Sequence, residues 1–113
     1  MKNLDGKVAI VTGAATGIGY GISKRLANDG ANLVMVDLDA NMMEQSASEI
    51  AARTQEVKIS IGDVSEPKTA QEAVNKAINE WGKIDILVNN AGIGGVNGNI
   101  WELGVEEMDR VYR

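Results

Sequence analysis

Short apolar runs alternate along the chain with longer amphipathic stretches, and this alternation restricts the fold more than any other feature. Strand-length runs occur at 7–12, 32–37, 57–61 and 84–88. Nearly continuous apolar strands are typical of parallel sheets that helices cover on both faces. Strict alternation of strands and helices, joined by right-handed crossovers, predicts an α/β fold with a doubly wound parallel sheet. We expect one domain over 1–113, because no linker or repeat interrupts the pattern.

The helical stretches carry their own start signals and apolar faces. Ile18, Ile22 and Leu26 recur every four residues, which predicts one apolar stripe facing the sheet on the first helix. Asp39 and Ser65 precede the next two helical patterns and are predicted to be their N-caps.

A glycine-rich segment, Thr12 to Gly19, joins the first strand to the first helix. Gly13 permits a tight turn with positive φ. Gly17 allows a ligand to approach the backbone, and Gly19 allows the helix to pack close to the strand. Because a helix N-terminus attracts anions, the segment predicts a phosphate-binding loop. The alternative is a strand-to-helix turn without a ligand.

Asp37 ends the second strand, at about the ~20-residue spacing expected for the acid that binds an adenosine ribose. Its carboxylate can accept hydrogen bonds from both ribose hydroxyls and would repel a 2′-phosphate. The positions where an Arg or Lys could bind that phosphate are occupied by Thr16 and Leu38, which carry no charge. The pattern therefore favours NAD over NADP, the alternative for Asp37 being a simple strand-end turn residue.

The glycines are spaced Thr-Gly-x-x-x-Gly-x-Gly, and an Asn-Asn-Ala-Gly segment at 89–92 follows the fourth strand. With the Leu-Asp-Gly-Lys segment at 4–7, the Asp-Val pair at 63–64 and the sequence Gly-Lys-Ile-Asp-Ile-Leu-Val at 82–88, the chain resembles the short-chain dehydrogenase/reductase family. The resemblance implies a Rossmann-like sheet of strand order 3-2-1-4, truncated after the fourth strand. The unpaired fourth strand would leave an exposed edge, so we expect marginal stability and self-association.

The cofactor-binding residues predicted from the loop, the acid and the resemblance come from all four strand ends. They are Thr12, Gly13, Ala15, Thr16, Gly17, Ile18, Gly19, Asp37, Leu38, Asp63, Val64, Asn90, Ala91 and Gly92. The resemblance implies that Asp63 accepts a hydrogen bond from the adenine amino group, while the Val64 amide meets the adjacent ring nitrogen. It implies that the segment from Asn90 to Gly92 packs against the adenosine ribose, and that the Thr12 hydroxyl ties the loop to it. The alternatives are a turn role for Asp63 and a structural link for Asn90.

The family's chemistry uses a serine and a Tyr-x-x-x-Lys pair after a fifth strand, together with an asparagine in the helix after 89–92. We expect no catalytic residue in this chain, because no position matches these. Tyr20 and Lys24 match Tyr-x-x-x-Lys literally, but they lie on the first helix and are expected to face solvent.

For the full-length protein, the resemblance implies an NAD-dependent oxidoreductase that moves hydride between nicotinamide and an alcohol or carbonyl substrate, as a homo-oligomer. The alternatives are a nucleotide-binding fragment without turnover and, more remotely, a methyltransferase using S-adenosylmethionine.

Composition narrows the possible partners. The net charge is −5 and the basic residues are scattered, which argues against nucleic acid. The chain has no cysteine and no histidine, which excludes disulfides and thiolate metal sites, and we expect no metal. No apolar run approaches the ~20 residues that span a bilayer, so we expect a cytoplasmic protein that does not bind membranes.

Overall fold

A computed structural model describes residues 3–51 and 56–90, which form four strands and three helices. In chain order these are β1 (Val8–Thr12), α1 (Gly17–Asn28), β2 (Asn32–Asp37), α2 (Ala40–Ala51), β3 (Val57–Ile61), α3 (Pro67–Trp81) and β4 (Ile86–Val88). All neighbouring strands are parallel, and their order is β3-β2-β1-β4. The α/β class and the strand order predicted from the sequence are therefore confirmed. Predictions for 91–113 lie outside the described residues.

Two apolar clusters cover the two faces of the sheet. Alternate residues of β1 point to opposite faces, as the two-residue period of a strand requires. Ala9 and Val11 belong to the cluster on the α1 and α2 side, whereas Val8 and Ile10 pack on the α3 side. Every residue of β1 is buried, so this strand lies at the centre of a three-layer fold.

The carboxyl ends of the strands meet at one edge of the sheet. Thr12 pairs with Val36, and Val11 pairs with Val88. The connection after β1 leads to β2, whereas β4 lies on the other side of β1, so the strand order reverses between β1 and β4. In open α/β sheets, ligands bind outside the carboxyl ends at such a reversal.

The first helix uses a different face from the one predicted. Its buried residues are Gly19, Ser23 and Ala27, whereas Ile18 is 74% exposed. The predicted inward position of Ile18 is therefore wrong. The close approach of α1 to the sheet requires small side chains at the contact, so the face is selected by side-chain size as well as by hydrophobicity.

One of the two predicted helix caps is confirmed. The Met42 amide donates to Asp39 Oδ1 at 3.0 Å, as an N-cap of α2 should allow. The prediction for Ser65 is wrong, because α3 begins at Pro67 with Glu66 as its N-cap. The Ser65 amide and hydroxyl instead donate to a nearby carboxylate, Asp63 Oδ1, at 2.9 and 2.7 Å.

The fourth strand is shorter than predicted, because it begins at Ile86 rather than Ile84. The turn before it is fixed by Asp85, whose amide donates to the Val8 carbonyl at 2.8 Å. In return the Val8 amide donates to Asp85 Oδ2 at 2.9 Å. This pair of hydrogen bonds sets the register between β1 and β4.

Candidate functional site

Glycine is favoured at each of the three loop positions, 13, 17 and 19, for a structural reason. Gly13 and Gly17 adopt φ values of 63° and 60°, which L side chains rarely adopt. A Cβ on Gly19 would collide with the Gly13 carbonyl oxygen and would lie 2.9 Å from Asn90 Nδ2. A Cβ on Gly17 would meet no atom within 4 Å. The loop is therefore packed against protein at Gly19 and faces open space at Gly17.

The amino end of α1 lies directly behind this open space. Thr16 is its N-cap with an extended backbone, and its hydroxyl makes no capping hydrogen bond within the described residues. The first turn of α1 contains no acidic residue. Backbone N–H groups at a helix N-terminus that lack a side-chain cap can donate to an anion, and the helix dipole favours negative charge there.

Three hydrogen bonds from other elements hold the middle of the loop. The Ala14 amide donates to the Val36 carbonyl at 3.2 Å, and the Ala15 amide donates to Asp37 Oδ2 at 3.0 Å. The Ser46 hydroxyl on α2 donates to the Ala15 carbonyl at 2.5 Å. Sequence reasoning missed Ser46; the available signal was a serine three residues after Met43 on the apolar face of α2.

Asp37 joins the loop to the end of β2. Besides the Ala15 amide, its carboxylate accepts the Leu38 amide on Oδ1 at 2.7 Å and the Asp39 amide on the same oxygen at 3.4 Å. A carboxylate offers about four acceptor positions, so these three backbone bonds, one of them long, leave capacity for the ribose. The structure therefore gives Asp37 a fixed orientation beside the loop, and this role in the loop was not anticipated from the sequence.

Asp63 follows β3 at the same edge of the sheet. The Gly62 amide donates to the Asp37 carbonyl at 3.0 Å, which places the two acids after adjacent strands. The Ser65 amide, and then its hydroxyl, donate to Asp63 and hold its pKa below the ordinary value of 3.8. The exposed carboxylate is thus ionised at neutral pH and is a hydrogen-bond acceptor.

Thr12 connects the end of β1 to the end of β4. The Asn90 amide donates to Thr12 Oγ1 at 2.8 Å, and the same hydroxyl lies 3.3 Å from the Val88 carbonyl and from Asn89 Oδ1. The contact implied by the family resemblance is therefore present between Thr12 and Asn90. Ala91 and Gly92, which belong to the same predicted segment, lie outside the described residues.

Large apolar side chains are exposed around this edge of the sheet. Leu38 follows β2 and is 67% exposed, and Ile61, which ends β3, is 40% exposed. Ile18 in the first turn of α1 is also exposed. Exposed apolar residues beside a few polar groups are typical of a ligand-binding edge.

Tyr20 does not face solvent as predicted. It is half-buried, packs against the cluster on the α1 and α2 side, and donates its hydroxyl to Glu49 on α2 at 2.5 Å. The hydrogen bond from Tyr20 to Glu49 therefore joins α1 to α2. The expectation that the Tyr20 and Lys24 pair is not catalytic stays a prediction.

Neither a helix able to span a membrane nor a metal-binding cluster occurs among the described residues. Among 3–51 and 56–90, no helix is long and apolar enough to cross a membrane. In the same ranges, no three acidic side chains come together in a way that could hold a metal ion.

The chain is similar in sequence or in structure to several dehydrogenases and reductases. A diacetyl reductase of the (S)-acetoin-forming type from Staphylococcus epidermidis is 40% identical over 106 residues, which are 94% of this chain and 41% of that protein. The crystal structure of L-sorbose reductase from Gluconobacter frateurii, in complex with NADPH and L-sorbose, superposes with a TM-score of 0.77 at 33% identity. That match covers 83% of this chain and 36% of the reductase.

The fold is shared even more closely with an NAD⁺-bound xylitol dehydrogenase. Its TM-score is 0.88 at 24% identity, over 95% of this chain and 49% of the dehydrogenase. The chain spans about two-fifths of the length of the curated relatives it matches. The family model described as short chain dehydrogenase matches residues 7–113, so the loop, the strand order and the sequence all lead to one conclusion. The chain belongs to the short chain dehydrogenase family.

Proposed function

We propose that this chain binds NAD along the carboxyl edge of its sheet. The observation that carries the proposal is the Asp37 carboxylate, fixed by the Ala15 and Leu38 amides beside the glycine loop. In this arrangement the pyrophosphate lies at the amino end of α1, over Gly17, where a Cβ would meet no protein atom within 4 Å. The adenosine ribose donates its hydroxyls to Asp37.

The adenine ring takes the adjacent position after β3. Asp63 accepts from the adenine amino group, and the Val64 amide lies beside it in sequence. Leu38 and Ile61 offer exposed apolar surface to the ring faces. Asn90, held by Thr12, packs against the adenosine ribose together with Ala91 and Gly92.

NAD is preferred over NADP for an electrostatic reason. The ribose 2′-phosphate of NADP would meet the Asp37 carboxylate, and neither Thr16 nor Leu38 offers a compensating positive charge. Like charges at about 4 Å repel by roughly 4 kcal/mol at the effective dielectric constant near a protein surface. Solvent screening reduces this, and we expect discrimination of about tenfold or more.

Asp37→Asn tests the proposal, with Asp39→Asn as the matched control. Each variant removes one negative charge at the same turn, and asparagine retains the ability to cap α2 at position 39. Calorimetry measures the dissociation constants for NAD and NADP. The ratio of the NADP constant to the NAD constant should fall about tenfold in Asp37→Asn and stay unchanged in Asp39→Asn. An unchanged ratio in both variants would refute the ribose assignment, and absence of NAD binding to the wild-type chain would refute the proposal itself.

For the whole protein, we propose an oxidoreductase that exchanges hydride between a nicotinamide cofactor and an alcohol or carbonyl substrate. NAD supplies the hydride acceptor or donor, and this chain supplies the residues that hold it. Family membership and the names of the relatives, a diacetyl reductase and an L-sorbose reductase, support this substrate class. We further propose that the whole protein is a homo-oligomer located in the cytoplasm.

A second function, nucleotide binding without turnover, applies to the chain itself. It is supported by Tyr20, whose hydroxyl contacts Glu49 in a helix interface instead of a substrate site. The assay is alcohol-dependent formation of NADH by the 113-residue polypeptide. We expect binding without turnover, and substantial turnover would overturn this second proposal.

A further inference from the structure

Ala15 is held at both its amide and its carbonyl by residues distant in sequence. Its amide donates to Asp37 Oδ2 at 3.0 Å, and its carbonyl accepts the Ser46 hydroxyl at 2.5 Å. Ala15 is 2% exposed although it lies in a loop. We call these two hydrogen bonds the Ala15 clamp.

For the packing of α2, the Cβ of an alanine at position 46 would fill the same place as the Cβ of Ser46, so the hydroxyl needs another explanation. It is 6% exposed and shares the buried face of α2 with Met43 and Ile50. A buried hydroxyl is unfavourable unless it is hydrogen-bonded. Serine within a helix commonly bonds to a carbonyl of its own preceding turn, but Ser46 bonds to a carbonyl 31 residues away.

The clamp controls a short stretch of backbone that leads into the open side of the site. Ala15 is followed by Thr16 and Gly17, both exposed, and Gly17 begins α1. Because peptide units are planar, fixing the Ala15 carbonyl also fixes the direction of the Thr16 amide. The N–H groups at the amino end of α1 are therefore oriented before an anion arrives.

We propose that Ser46 is a positioning residue for nucleotide phosphates, acting through the Ala15 carbonyl without touching the nucleotide. This inference rests on the proposed function and adds a residue outside the glycine loop and the strand ends. A clamp of this kind lowers the ordering cost of binding, since the loop is already in its binding conformation. Its effect is confined to ligands that contact the loop.

Ser46→Ala is the direct test, and Ser48→Ala on the exposed side of the same helix is its matched control. Affinities of the 113-residue chain are measured by calorimetry for ADP and for adenosine, which lacks phosphates. Loss of one neutral hydrogen bond predicts about threefold to tenfold weaker ADP binding in Ser46→Ala, with adenosine binding unchanged. Ser48→Ala should bind both ligands like the wild type. Equal losses for ADP and adenosine, or no loss for either, would overturn the proposal.

A second measurement separates this inference from the proposed function. Hydrogen exchange of the Ala15 amide, followed by NMR without nucleotide, should be about threefold to tenfold faster in Ser46→Ala than in the wild type or Ser48→Ala. If the wild-type chain bound no nucleotide, the proposed function would fail, and the exchange rates would still decide whether Ser46 holds the loop. An unchanged Ala15 exchange rate in Ser46→Ala would show that the Ser46 hydrogen bond does not hold the loop, and it would refute the proposal regardless of nucleotide binding.

Discussion

Substitution of Gly19 by alanine should destabilise the chain, whereas the same substitution two residues later should stabilise it. At Gly19 the added Cβ would collide with the Gly13 carbonyl oxygen. It would also lie 2.7 Å from the Gly13 carbonyl carbon and 2.9 Å from Asn90 Nδ2, against 3.4–4 Å for ordinary contacts. At Gly21 the added Cβ would meet nothing within 4 Å.

The two effects can be estimated separately. Overpacking costs about 1–3 kcal/mol, and a collision with backbone atoms belongs near the upper end, roughly 3 kcal/mol. Alanine in place of glycine stabilises a helix interior by about 1 kcal/mol. The expected net changes are therefore a loss of about 2 kcal/mol for Gly19→Ala and a gain of about 1 kcal/mol for Gly21→Ala.

Urea unfolding of the wild type and the two variants, followed by circular dichroism, measures both free energies of unfolding. The difference of about 3 kcal/mol between the variants corresponds to roughly a hundredfold change in the unfolding equilibrium constant. Wild-type stability of Gly19→Ala would refute the packing argument. Destabilisation by Gly21→Ala would show instead that glycine is required throughout the first turns of α1.

Two further predictions concern the contacts that join β4 to β1. Thr12→Val retains the shape of the side chain but leaves the Asn90 amide without its acceptor, so we expect a loss of about 1–3 kcal/mol in urea unfolding; a change below a few tenths would contradict the proposed link. Burial raises the pKa of Asp85, but the Val8 amide and the Lys83 ammonium outweigh it, so the pKa lies below its ordinary value of 3.8. A lowered pKa gives stability that is present above the unfolded-state value and lost as pH falls through the folded-state value. Asp85→Asn should therefore lose less stability than the wild type between pH 5 and pH 2, a window set about the ordinary carboxylate pKa. Equal losses of stability in the acid unfolding curves of the two proteins would refute this.

Asp37 and Ser46 hold the glycine loop from two different elements, β2 and α2. The carboxylate holds the Ala15 amide, and the hydroxyl holds the Ala15 carbonyl. Asp37 thus has two tasks in the proposed function, since the group that recognises the ribose also orients the loop for the pyrophosphate. A variant at position 37 is expected to affect both, which is why the ratio of NAD to NADP affinities is the appropriate readout there.

The amino-acid sequence alone determined the class of the fold and predicted where the cofactor site lies. Apolar runs of strand length, separated by helical patterns, predict parallel strands because both signals are local and periodic. The spacing of Gly13, Gly17 and Gly19, with Asp37 after the next strand, predicts the binding edge for the same reason. Once the resemblance to the family is recognised, the strand order follows as well, and the observed order agrees.

The tertiary structure alone decided which side chains face the core and which distant groups meet. The period of α1 is visible in its sequence, but the sheet accepts the small face of Gly19, Ser23 and Ala27 and leaves Ile18 exposed. The bond from Ser46 to Ala15 joins groups 31 residues apart, and no local pattern encodes such a contact. Packing depends on how closely two elements approach, and hydrogen bonds depend on where the chain returns in space. Both are properties of the assembled layers, so they could be read only from the folded chain.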